Sequence, residues 1–123
     1  MTFCTSIHCM DGRIQEPIIK FLKNNYTVKY VDTITEPGPC KILGENNNKT
    51  LVSSIIKRVE ISINKHGSKL IFISGHYDCA GNPTDEEKQK DQINRSIKYL
   101  KDIFPNIEII GLWIDNKWTV NSL

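Results

Sequence analysis

Apolar residues in this chain follow two alternating rhythms: short dense runs of β-formers, and longer stretches where they recur every three or four positions. FCTSIH, 3–8, is the first dense run and predicts a strand ending just before Cys9. Pro17 suits a first helical turn, and Ile18, Ile19 and Leu22 give an apolar face to a helix reaching about Asn24. YTVKYVDT, 26–33, predicts a second strand, followed by an irregular loop through TEPGP at 35–39 and ENNN at 45–48. Helical spacing returns at Leu51, Val52, Ile55, Ile56, Val59 and Ile63, with Gly67 placed to close the helix. KLIFIS, 69–74, is nearly all apolar, the pattern of a central strand covered on both faces. Past the loop GHYDCAGNP, Thr84 and Glu87 have capping-box spacing, and Ile93, Ile97, Leu100 and Phe104 form the buried stripe of a third helix. IEIIGLWI, 107–114, predicts a fourth strand, and Asp115-Asn116 a tight turn into a short last strand within KWTVNS.

This order predicts an α/β fold: a single-domain parallel sheet in the order 2-1-3-4, with helices on both faces and a C-terminal β-ribbon. Strand order reverses between strands 1 and 3, and sheets of this kind bind ligands at the carboxyl ends flanking that point. CMDGR, 9–13, follows strand 1, and GHYDC, 75–79, follows strand 3. The topology therefore predicts that these two pieces meet.

Their residue types suit metal chemistry. Cys9, His76 and Cys79 offer two thiolates and an imidazole, the ligands zinc favours, and three protein ligands leave one tetrahedral position open. Asp11 and Arg13 are two apart on one loop and can pair in bidentate fashion, holding the carboxylate ionised to orient a water-derived nucleophile. Arginine is scarce here, three against thirteen lysines, so its use at position 13 points to a forked hydrogen-bonding partner rather than to charge alone.

Length and composition narrow the classes. The 123 residues make one domain, 1–123, and 39% hydrophobic with 24% charged residues is ordinary for a soluble globular protein. A formal charge of +2, from 16 basic and 14 acidic residues, gives no basic stripe, which argues against nucleic acid and membrane partners. No run approaches the ~20 apolar residues of a membrane span, and Asp11 and Arg13 interrupt any leader-like N-terminal segment, so a cytoplasmic location is expected. In such a compartment four cysteines are more often buried thiols, metal ligands or nucleophiles than disulfides.

CMDGR and GHYDCAGN resemble the two zinc-site motifs of the β-class carbonic anhydrases, CxDSR or CxDAR and HxxCG. EIIGLWIDNKWTV is similar to that family's closing strand and ribbon. The resemblance implies Zn2+ held by Cys9, His76 and Cys79, an Asp11–Arg13 catalytic dyad, and reversible hydration of carbon dioxide to bicarbonate. In some members the aspartate closes onto the metal and releases the arginine, which Asp11 could also do. Alternatives are hydrolysis of an analogue such as carbonyl sulfide or carbon disulfide, and a non-catalytic zinc protein. Gly12 stands where the family has Ser or Ala, and DTITEPGPCKILG where it often has an Arg-Asn-Ala-Gly-like segment. With strand 1 beginning at residue 3, the helical arm that wraps the partner subunit in typical members is not expected. The glutamine and aromatic side chains that narrow the family's substrate pocket have no evident counterparts.

The remaining polar and aromatic residues have plainer expectations. His8 could shuttle protons, but strand geometry favours a buried structural role. Cys4 reads as a small core residue, and Cys40 as a buried thiol or a fourth ligand that would close the site. Asp78 reads as a turn cap or pocket wall. Tyr77, Trp113 and Trp118 read as packing or interface residues, and a homodimer is expected through an edge strand or helix face near the ribbon.

Overall fold

The computed structural model describes residues 2–123. β1 (Phe3–Cys9), α1 (Gly12–Tyr26), β2 (Tyr30–Glu36), α2 (Pro39–Glu45), α3 (Lys49–His66), β3 (Leu70–His76), α4 (Glu86–Ile103), β4 (Glu108–Ile114) and β5 (Val120–Ser122) follow in that order. They build one five-stranded sheet, β2-β1-β3-β4-β5, parallel except for the β4–β5 ribbon. The anticipated order 2-1-3-4 and the ribbon are both present.

Alternation along the strands divides the core in two. Cys4 on β1, Phe72 on β3 and Leu112 on β4 face α1, where Ile14, Ile18 and Leu22 cover them. Ile7, Ile71, Ile73 and Ile109 face the opposite layer, built from Leu43 of α2, Val52, Ile55 and Val59 of α3, and Ile93 and Leu100 of α4. Every residue of β3 is buried, as its continuous apolar run requires. Full burial of a side chain such as Phe72 contributes on the order of 2–3 kcal/mol.

Element boundaries depart from the sequence expectations in four places. α1 starts at Gly12 because the Asp11 side chain accepts from the Arg13 N–H as an N-cap, so Pro17 lies inside the helix and not in its first turn. Tyr26 ends α1, with its ring against Phe72, and β2 begins only at Tyr30; tertiary packing overrides the strand preference of YTV. The supposed loop 35–48 contains α2, with Pro39 at its start, and ENNN supplies the α2 C-cap Asn46 and the α3 N-cap Asn48. Asp85, not Thr84, caps α4 by accepting from the Lys88 N–H.

The β1–β3 ladder runs from Thr5–Ile71 to Ile7–Ile73, short of the last two residues of β1. Beyond it the two carboxyl ends open a crevice at the reversal of strand order, and Cys9 and His76 are the last residues of their strands.

Candidate metal centre

The three sequence-predicted ligands come together in that crevice. The ligand atoms of Cys9, His76 and Cys79 all lie within 4.8 Å of one another, and the two sulfurs are 3.8 Å apart. All three residues are buried. His76 Nδ1 donates to the Tyr77 carbonyl at 2.7 Å, which fixes the tautomer and leaves a lone pair on Nε2. Nε2 is buried and has no hydrogen-bond partner in the protein. An orphaned acceptor nitrogen facing two thiols is costly unless a Lewis acid occupies the space between them. The donor set therefore fits a metal ion, and its two sulfurs with one imidazole nitrogen fit zinc.

Local backbone shapes the sulfur environment. The backbone N–H groups of Gly38 and Asp11 act to lower Cys9, and those of Gly81 and Asn82 act to lower Cys79. A hydrogen bond from the Cys79 thiol, helped by those backbone N–H groups, holds Cys9 well below the usual thiol range despite burial. The same sulfur–sulfur contact, with burial, pushes Cys79 up. Burial acts to lower His76, but contact with the Cys9 sulfur, the Tyr77 carbonyl and nearby Asp11 outweigh it and raise it. A Cβ on Gly81 would sit 2.6 Å from Pro37, so glycine is what lets the loop after β2 press against the HxxC loop.

Asp11 and Arg13 pair as anticipated. Arg13 Nη2 donates to Asp11 Oδ2 at 2.7 Å and Nε donates to Oδ1 at 3.0 Å. Asp11 Oδ2 lies 3.9 Å from His76 Nε2, so the carboxylate borders the cluster while the arginine restrains it. A Cβ at Gly12 would meet nothing within 4 Å, so the Ser or Ala usual at that position would fit.

The Arg13 guanidinium holds the Asp11 carboxyl down at about 2. A depressed folded value means that ionised Asp11 adds stability above the unfolded carboxyl range near ~4, and that this is lost as pH falls toward 2. The unfolding free-energy difference between wild type and Asp11→Asn is expected to shrink as denaturation is repeated from about pH 5 down to 2. A difference that stays constant over that window would exclude the pairing.

Other candidates resolve by contact. His8 is fully buried; its Nε2 donates to Gln15 Oε1 at 2.8 Å, so Nδ1 accepts from the Ser6 hydroxyl at 2.8 Å. Burial lowers its pKa, and this neutral, doubly bonded ring is structural. Cys40 stands apart from the cluster, its sulfur between Gln92 Oε1 and Asn82 Nδ2 on the α4 side. Trp113 is buried against the core and contributes only to the wall of the cleft beside Cys79.

Several supporting residues were not singled out from the sequence. Gln15 Nε2 donates to the Cys9 and Asp11 carbonyls and ties down the CMDGR loop; its spacing of four from Asp11 was the available signal. Gln89 grips the His76 backbone through both amide atoms, accepting from its N–H and donating to its C=O. Gly75 leaves room for it, since a Cβ there would lie 2.7 Å from Gln89 Oε1. A cleft of about 740 Å³ opens between the HxxC loop and the start of α4 and reaches Cys79, while Asp11 and Arg13 lie outside its walls.

A mostly parallel α/β sheet with two thiols, an imidazole and an Asp–Arg pair at its reversal point defines a β-carbonic-anhydrase-like protein with a candidate metal site. A family profile described as "Putative carbonic anhydrase" matches residues 1–123, and the chain belongs to that family. Solved structures agree on the fold. Tetrameric β-carbonic anhydrases from the filamentous ascomycete Sordaria macrospora align at TM-score 0.63 and 14% identity, over 98% of this chain and 79% of theirs. The β-carbonic anhydrase CcaA aligns at TM-score 0.60 and 10% identity, over 99% of this chain and 80% of its own. CafA of the fungal pathogen Aspergillus fumigatus, also a β-carbonic anhydrase, aligns at 0.50 and 13%, over 98% and 74%. No curated protein matches by sequence. Among the described residues no helix is long and apolar enough to cross a membrane.

Proposed function

We propose that this protein binds Zn2+ through Cys9, His76 and Cys79 and catalyses the reversible hydration of carbon dioxide. One observation carries the proposal: the buried, unpartnered His76 Nε2 faces two thiols beside an arginine-restrained carboxylate, in a chain of the carbonic anhydrase family. Zinc held there supplies the Lewis acidity that makes a nucleophile of water at neutral pH. The protein's part is to fix the three ligands and their charge. The Tyr77 carbonyl sets the imidazole tautomer, and Gln89 fixes the backbone that carries it. Asp11, kept ionised by Arg13, offers an acceptor that orients the attacking water's proton away from substrate. Cys40 and Asp11 are both held elsewhere, by Gln92 and Asn82 and by Arg13, which favours a three-ligand, open site over a closed one.

Stopped-flow hydration of carbon dioxide by the zinc-loaded protein is expected to give a rate well above the uncatalysed one, rising with pH. No measurable rate at pH 9, with zinc present, would reject carbon dioxide as substrate and direct assays to carbonyl sulfide and carbon disulfide.

We also propose a homodimer. Met10 and Tyr77 expose apolar surface beside the site, at 62% and 50% exposure, and Sordaria macrospora relatives of the same fold are described as tetrameric. Light scattering at micromolar concentration is expected to give twice the chain mass; monomer alone would refute it.

A further inference from the structure

Four non-glycine residues among those described have positive φ: Thr27, Asn46, Asp78 and Trp118. Thr27 and Asn46 end helices, where a left-handed residue is common; asparagine enters that conformation readily, while the β-branched Thr27 is strained in it. Asp78 (φ 58) and Trp118 (φ 60) cap no helix, and for a residue as bulky as tryptophan this conformation is strained. Both of them hold Arg13. Asp78 Oδ2 accepts from Arg13 Nη1 at 3.2 Å, and its carbonyl accepts from Nη2 at 3.0 Å. The Trp118 ring lies under the guanidinium, 4.5 Å from its carbon to the ring centroid, and Tyr77 meets that ring edge-on.

With Asp11 taking Nε and Nη2, the guanidinium is bonded along two edges and covered on a face, by groups from three separate segments of chain. The ribbon turn bearing Trp118 is itself pinned. Asp115 Oδ1 accepts from the Lys117 and Thr119 N–H groups, and the Trp118 N–H donates to the Asp115 carbonyl.

We propose that Asp78 and Trp118 are positioning residues: from the HxxC loop and the ribbon they fix the Arg13 guanidinium, which in turn keeps the Asp11 carboxylate at the edge of the ligand cluster. Neither residue touches the reacting atoms. Their effect on turnover rests on the carbon dioxide reading, but the clamp itself does not. Asp78 joins the loop that carries His76 and Cys79 to the dyad, so the two halves of the site move as one body. Trp118 shields one face of the guanidinium from water, which strengthens the Asp11 pairing along its Nε–Nη2 edge.

The test uses 15N-labelled protein as purified, with zinc content measured, in wild type, Trp118→Leu, Trp118→Phe and Asp78→Asn. With three arginines in the chain, the Arg13 Nε–H resonance is assignable, and its exchange with solvent reports how firmly the guanidinium is held. Trp118→Leu is expected to speed exchange roughly fivefold and Trp118→Phe to restore most of the protection, because a ring face remains. Asp78→Asn, a near-isosteric change at an exposed residue that leaves the fold intact, is expected to speed exchange by a similar factor. In the hydration assay, kcat should fall with exchange protection while zinc content is unchanged. Wild-type exchange in both Trp118→Leu and Asp78→Asn would overturn the clamp. Equal loss in the Phe and Leu variants would reduce Trp118 to packing and overturn its part. Faster exchange in a protein that hydrates no carbon dioxide would uphold the clamp and reject the functional reading alone.

Discussion

Replacing Cys9 or Cys79 by serine is expected to empty the site of zinc. Wild type should carry close to one zinc per chain by elemental analysis, held by three protein ligands within 4.8 Å of one another. A serine hydroxyl stays protonated at neutral pH and is a poor ligand beside a thiolate. If binding resembles the ~12 kcal/mol of structural zinc sites, losing one of three ligands removes about 4 kcal/mol, roughly a thousandfold in affinity. Cys40→Ser provides the contrast: Cys40 is engaged with Gln92 and Asn82, so this variant should keep its zinc at some cost in stability. Full zinc retention in both Cys9→Ser and Cys79→Ser would remove the ligand assignment.

Asp11→Asn is expected to abolish carbon dioxide hydration while zinc stays bound. Asparagine preserves the shape and the cap of α1, since its side-chain oxygen still accepts from the Arg13 N–H. What it loses is the charge that pairs with Arg13 and strengthens the hydrogen bond accepted from the attacking water. Removing one preorganised hydrogen-bonding group commonly costs 10²–10³ in rate, so a fall of at least ~100-fold is expected. Arg13→Ala should reach the same end by another route. Released from the guanidinium, the Asp11 carboxylate already lies 3.9 Å from His76 Nε2 and can move onto the cluster, closing it. Near-wild-type activity in zinc-loaded Asp11→Asn would exclude the dyad from catalysis and leave it as a helix cap and loop tie.

Much of the fold was legible because it is written in local periodicity. β3 reads as a central strand from its composition, and all seven of its residues are buried. The spacing of Val52, Ile55 and Val59 gave α3, and Gly67 closed it in the left-handed conformation only glycine enters freely. Where local preference and packing conflict, the sequence misleads. YTV has strand-forming residues, yet Tyr26 ends α1 because its ring packs on Phe72, a residue of β3 far along the chain. α2 spans only seven residues, too short for a helical rhythm to stand out.

The sequence by itself determined which side chains could serve as metal ligands and, through the right-handed crossover rule, that CMDGR and GHYDC would end adjacent strands. Residue types set what a side chain can bind, and alternation of strand and helix sets which strand ends are neighbours. Tertiary structure alone decided how those side chains are aimed. It left His76 Nε2 without a partner, tied Gln89 to the strand that carries His76, engaged Cys40 with α4, and turned Asp78 and Trp118 onto Arg13. Those outcomes depend on contacts between distant segments and, at Trp118, on a backbone conformation that a bulky side chain disfavours. Neither periodicity nor residue type encodes such contacts, because they exist only once the sheet, the ribbon and both loops are packed together.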